Sequence, residues 1–522
     1  MKAAPSFFLF GLFFVAAVAR ADVALAPLFT DHAVLQRDKP VPIWGQAAAG
    51  EKITVTFARQ TRTATAGPDG RWSMSLDKLS ASAQGTDLTV AGKNNTLVVH
   101  DVVVGEVWLC SGQSNMEFTL EARPGTWQAK IRVRDADKEI AAANFPLIRQ
   151  VRIELTVADD PAAGVATSGW QSASPATVGG FTAVGYFFAR EIFQKLGVPI
   201  GIVNSSYGGT PVESWMPAPT LARDPAFQVV ADRWEKMLAD YSDKKAEFDA
   251  ALAEWTPADT AAKARGEAAH AAWLKEHPKP PAPRGPGDPW TPSSLFNGMI
   301  APLAPFALRG TLWYQGESNA ARATEYQRLF VAMIKAWRKQ FGQGDFPFFW
   351  VNLASYKVPD DTTDQTYAFL REAQTQTLDL PNTGQAIAID IGNPDDIHPT
   401  NKQEVGHRLA LLAKNRIYGI TGDDTGPTFA SIRLGGSAMM VTFGHAGGGL
   451  IARDYPVLCV EIAGTDQVFH PAIVGLSQSV LIATSPDVKQ PVAIRYAWRN
   501  APDANLYNGA GLPAVPFRSD NW

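Results

Sequence analysis

Gly105-Glu106-Val107-Trp108-Leu109-Cys110-Ser111-Gly112-Gln113-Ser114-Asn115-Met116-Glu117 is the stretch on which the fold turns. Residues 104–109 form an apolar run with little alternation, which reads as a strand buried on both faces. The Ser-Gly pair that follows ends it in a turn. Residues 199–205, 310–314 and 385–391 read as further strands of the same kind, and residues 185–196 and 325–341 as amphipathic helices between them. Buried strands alternating with helices predict an α/β domain over residues 104–424, a parallel sheet with helices on both faces.

Outward from this centre the texture changes twice. In residues 22–103 period-two segments such as Lys52-Ile53-Thr54-Val55-Thr56-Phe57 and Arg71-Trp72-Ser73-Met74-Ser75-Leu76, with the turn Gly67-Pro68-Asp69-Gly70 between them, predict a small β-domain of sandwich type. Residues 425–522 return to β texture. Within the α/β domain, residues 224–290 form an insertion: an Ala/Lys/Glu-rich helical part, then Pro278-Lys279-Pro280-Pro281-Ala282-Pro283-Arg284-Gly285-Pro286, which excludes a regular element. It reads as a surface elaboration, passive rather than part of the cleft.

At 522 residues the chain exceeds the roughly 250–300 that a single core sustains. A net charge of -4 provides no basic field for phosphates, so nucleic acid is not expected as a partner. Lys2, the apolar residues 7–18 and Ala19-Arg20-Ala21 have the order of a secretory signal, which places the mature start near Asp22 and the protein in the periplasm or outside the cell. That apolar run is shorter than the ~20 residues of a membrane span, and no membrane partner is expected. Two cysteines, Cys110 and Cys459, do not make a disulfide scaffold.

The chemistry gathers at loops that follow strands. Ser114 stands at a strand-to-helix turn, where open α/β sheets hold their sites and a helix N-terminus offers N–H groups to an oxyanion. With Met at 116 the second glycine of a Gly-x-Ser-x-Gly elbow is missing, which counts against an ordinary α/β-hydrolase. His398 follows Asp395 and Asp396 on a loop just before a helix, which Thr400 and Gln403 would open as a capping box. A base of this kind needs a carboxylate on one ring nitrogen to hold its tautomer while the other takes the serine proton. Asn204 to Thr210 and Trp313 to Asn319 are two more such loops, carrying the glycines and amides that an oxyanion hole uses.

These segments, with Gly208-Gly209-Thr210-Pro211-Val212-Glu213-Ser214-Trp215, Leu295-Phe296-Asn297-Gly298-Met299 and Asp396-Ile397-His398-Pro399, resemble the sialate O-acetylesterase family, a branch of the SGNH (GDSL-like) hydrolases. The resemblance implies an SGNH-type three-layer α/β/α fold with accessory β-regions, and a carbohydrate acetylesterase that works through an acetyl-enzyme without metal or cofactor. It implies Ser114 as nucleophile and His398 as base, with Asp395, three residues before the histidine, or Asp396 as orienter. Ser114 and Gly208 or Gly209 would line the oxyanion hole, with Gln315 or Asn319 as third donor and Glu317 holding them. The expected partner is an acetylated oligosaccharide or polysaccharide, either O-acetylated sialic acid or a plant hemicellulose such as xylan or xyloglucan. Fifteen Trp and the lack of an Arg cluster near the motifs favour the neutral polysaccharide. The competing readings are a non-catalytic carbohydrate-binding module and a GDSL-type lipase.

Overall fold

The computed structural model describes residues 22–522; the signal-like segment lies outside the described residues. Its centre is the strand Thr96–Gly112, seventeen residues long. The first part of that strand alternates between solvent and core, and from Val102 onward every residue is buried. One strand therefore serves two sheets, and the expected boundary at 103/104 falls inside it. The N-terminal half pairs antiparallel with Ser82–Ala91 of the β-domain. The C-terminal half lies between Ile200–Ser206 and Gly310–Tyr314, parallel to both.

The central sheet runs Thr167–Ala173, Phe145–Ile153, Ile200–Ser206, Thr96–Gly112, Gly310–Tyr314, Phe348–Asn352, Thr383–Ile387. It is parallel except at one edge, where Thr167–Ala173 pairs antiparallel with Phe145–Ile153. Helices cover both faces, since apolar side chains emerge from the strands in both directions. Trp108 meets Phe188 of helix Ala183–Leu196 on one side. Trp313 and Trp350 meet Trp337 and Phe330 of helix Ala323–Phe341 on the other. Lys402–Arg416 packs beside the first helix, where Gly406 leaves no room for a side chain against Phe187.

Sequence periodicity missed three strands of this sheet, Phe145–Ile153, Thr167–Ala173 and Phe348–Asn352. The turn at residues 67–70, closed by Gly70 N–H donating to Gly67 O, also joins other partners than expected. A strand Gln60–Thr65 intervenes and pairs with Lys52–Phe57, so the turn leads from one sheet of the β-domain to the other. The helix after His398 is capped by Asn401, whose side chain accepts from Glu404 N–H, while Gln403 reaches Arg134 O. The Thr400–Gln403 capping box is therefore not formed.

The C-terminal residues build sheets and a core of their own, into which Ile387 and Ile389 of the α/β domain insert. Arg371 fixes this junction. Its fully buried guanidinium donates to the carbonyls of Leu353, Ala354, Arg499 and Asn500, and among the described residues it makes no ion pair. Arg371→Ala would leave the carbonyls of Leu353, Ala354 and Arg499 without this donor at about 1–3 kcal/mol each before relaxation, while Asn500 O keeps the Tyr356 N–H. Calorimetry is expected to show a lowered Tm and the C-terminal region melting apart from the rest.

Candidate active site

The turn that carries Ser114 is shaped by what Gly112 permits. At φ +132° this residue lies so close to Tyr314 that a Cβ would stand 2.2 Å from its carbonyl oxygen. Gln113 N–H then donates to the same carbonyl at 2.9 Å, and the chain enters the single helical turn Ser114–Glu117. As first residue of that turn, Ser114 has a backbone N–H without an intrahelical acceptor.

His398 arrives from the far end of the sheet. Its Nε2 lies 2.9 Å from Ser114 Oγ, across 284 positions of sequence. The two carboxylates before it diverge. Asp396 Oδ1 accepts from the His398 backbone N–H at 2.9 Å and stands 3.6 Å from Nδ1. Asp395 points to the surface and pairs with Lys357 Nζ at 3.2 Å, so it is not brought to the ring. Consecutive side chains on this loop face opposite ways, which the Asp-x-x-His spacing could not reveal. Trp127 lies on the imidazole face, ring centres 4.3 Å apart. Burial first, then the positive charge of Lys402, lower the His398 pKa to about 4, against the opposing pull of Asp396. The imidazole is therefore neutral, the form that accepts a proton.

The expected donors separate likewise. Gly208 abuts Ser114, and a Cβ on it would come within 3.3 Å of Ser114 Cβ and 3.2 Å of Trp127 Nε1. Its N–H, however, donates to Glu117 Oε2 at 2.8 Å, and the other oxygen of that carboxylate accepts from Arg123 and Arg152. Gly209 has φ +73° and open space in front of it. Gln315 engages both amide hydrogens, on Thr210 O and Asn319 Oδ1. Asn319 in turn accepts from Val212 N–H and donates to Glu213 at 2.8 Å. These two amides brace the loop after Gly209. Glu317 holds neither of them; its Oε1 accepts from Asn115 Nδ2 at 2.6 Å.

The insertion is not passive. Trp290, at its end, donates from Nε1 to Gly209 O at 2.7 Å, with the guanidiniums of Arg284 and Arg322 over its ring. Arg233, from helix Gln228–Ala239, binds Glu213 and Glu325. The Pro-rich run thus ends on the glycine loop beside Ser114. Trp127, Glu117, Lys402 and Trp290 were not singled out from sequence. Glu117 flanks a motif that was, and Lys402 follows His398 by one helical turn, whereas nothing local distinguishes Trp127 from other tryptophans. No cluster of His, Cys, Asp and Glu suited to a metal occurs among the described residues, and Cys110 and Cys459 are free thiols. No helix among them is long and apolar enough to cross a membrane. A cavity of about 660 Å³ lies between the β-domain and the catalytic domain, lined by Trp44, Arg71 and Pro305, and neither Ser114 nor His398 borders it.

Residues 282–414 match the family described as carbohydrate esterase, sialic acid-specific acetylesterase. The crystal structure of a carbohydrate acetylesterase from Xanthomonas citri is 38% identical to this chain. The alignment covers 96% of this chain and 100% of that one, with a TM-score of 0.78. The sialate O-acetylesterase of Rattus norvegicus is 29% identical over 94% of this chain and 93% of its own length. The corresponding enzyme of Homo sapiens is 26% identical over 94% and 91%.

Proposed function

Because the chain belongs to the sialate O-acetylesterase family of carbohydrate esterases, we propose that it removes acetyl groups from neutral polysaccharides, with Ser114 as nucleophile and His398 as base. The observation that carries the mechanism is the 2.9 Å contact between Ser114 Oγ and His398 Nε2. In the first step Oγ attacks the acetyl carbonyl carbon as Nε2 takes its proton; the sugar oxygen leaves with that proton, and an acetyl-enzyme forms. A water then gives its proton to Nε2 and attacks the acetyl carbon, and acetate departs as the proton returns to Oγ. Asp396 holds the ring and favours the imidazolium as it forms.

Ser114 N–H and Gly209 N–H are the backbone donors to the oxyanion in this reading, since Gly208 N–H is held by Glu117. The indole N–H of Trp127, beside Gly208 and the nucleophile, is the third. Trp127→Phe keeps a ring on His398 but removes the N–H. It is expected to lower kcat on the order of 10²-fold with KM little changed, the usual effect of one lost oxyanion donor. An unchanged kcat would return the third donor to the side-chain amides.

The neutral substrate is favoured by what surrounds Ser114. The partly exposed ring of Trp127 stands beside Ser114, and the nearby Arg123, Arg152 and Arg322 are each bound to a buried carboxylate. Acetate release from acetylated xylan or xyloglucan, but not from O-acetylated sialic acid, is the expected result; the reverse would assign the acidic sugar. Export through residues 1–21 belongs to the same proposal, and the chain recovered outside the cytoplasm should begin near Asp22.

A further inference from the structure

Lys402 has no exposed surface, and no carboxylate among the described residues lies within ion-pairing distance of it. Its Nζ donates to Asn115 Oδ1 at 2.5 Å and lies 4.8 Å and 5.2 Å from the ring centres of Phe118 and Tyr314. Asn115 passes the contact on: its Nδ2 donates to Glu317 Oε1 at 2.6 Å and to Ile397 O at 3.0 Å. Asn115 directly follows Ser114, and Ile397 directly precedes His398. A buried lysine is costly unless its charge is put to use, and an apolar residue would fill the same space between two rings. We propose that Lys402 is a positioning residue that ties the nucleophile turn to the base loop through Asn115, and whose positive charge sets the lowest pH at which His398 acts.

The inference rests on His398 being the base. Two charged groups bear on its imidazole: Lys402 from the helix and Asp396 from its own loop. The nucleophile turn presents Ser114 and Asn115, and the following loop presents Trp127, all uncharged. Glu117, on the same turn, is engaged by Arg123, Arg152 and Gly208. Glu317 and Asp396 face Lys402 and oppose the burial that lowers it to about 7. Glu317 is itself raised by burial, and one of its oxygens has no partner.

The signs are definite. His398 serves as base only when neutral, so activity falls as pH drops through its pKa, which burial and then the Lys402 charge depress. The wild-type acid limb of kcat/KM is therefore expected well below the ordinary histidine value of about 6.5. Lys402→Met removes the like charge and leaves only burial against Asp396, so the limb should move to higher pH by about one unit. kcat should fall on the order of ten-fold through the lost Asn115 contact, and KM should change little. A merely structural lysine would lower activity without moving the limb.

Should Lys402→Met fail to fold, Lys402→Gln takes its place, and the imidazole titration of His398 is followed by NMR in Ser114→Ala with and without it, because burial alone also lowers the midpoint. A midpoint raised by the second substitution supports the proposal, and an unmoved one overturns it. An unmoved limb in folded Lys402→Met overturns it as well. Ser114→Ala that still turns over substrate would instead defeat the reading of the catalytic dyad.

Discussion

Ser114→Ala should lose on the order of 10⁴–10⁶ in kcat on any acetyl ester while keeping the fold. Among the described residues the Ser114 hydroxyl contacts His398 alone, and no backbone group depends on it. Gly112, Gln113 and the contact to Tyr314 that shape the turn are untouched by the substitution. An unchanged Tm beside abolished acetate release is the expected pair of results. Turnover within about ten-fold of wild type would place the nucleophile elsewhere, because water cannot replace a positioned alkoxide at neutral pH.

Asp396→Asn carries the second large effect and should be measured beside Asp395→Asn. An amide at 396 cannot stabilise the imidazolium and can favour the wrong tautomer, so kcat should drop on the order of 10²–10⁴-fold. Asp395→Asn is expected to stay within about two-fold, since it exchanges only an exposed pair with Lys357, worth little on a surface. The reverse outcome would mean that the loop turns over when substrate binds and brings Asp395 to the ring. At 3.6 Å from Nδ1, Asp396 acts on the ring through its charge and through its hold on the His398 backbone N–H.

Together with the glycine loop these groups form a site assembled at the carboxyl edge of a parallel sheet, where strand ends from distant sequence converge. Trp290 shows how an insertion takes part in such a site without supplying a reacting group. By holding Gly209 O it fixes the peptide that would face the developing oxyanion. The C-terminal sheets act further out, by clamping the Phe348–Asn352 strand end through Arg371.

What the sequence determined by itself was whatever depends on local pattern. The largely apolar, non-alternating runs at 104–109, 199–205 and 310–314 made the layered α/β fold legible, because a strand covered on both faces has no polar side to show. Ser114 and His398 were legible because each sits at a loop directly joined to a strand or helix that its neighbours define. The strands Phe145–Ile153 and Thr167–Ala173 were not legible, since charged and small residues such as Arg149, Arg152 and Gly169 interrupt their runs at the sheet edge. Only the tertiary structure could choose between Asp395 and Asp396, turn Gln315 and Asn319 into braces, and bring Trp127, Trp290 and Lys402 to the dyad. Each of these depends on where a side chain points, and that direction is set by partners tens to hundreds of positions away: Lys357 for Asp395, Glu213 for Asn319, Asn115 for Lys402. A linear pattern records which groups a loop carries, whereas packing against remote residues decides which of them face the reacting atoms.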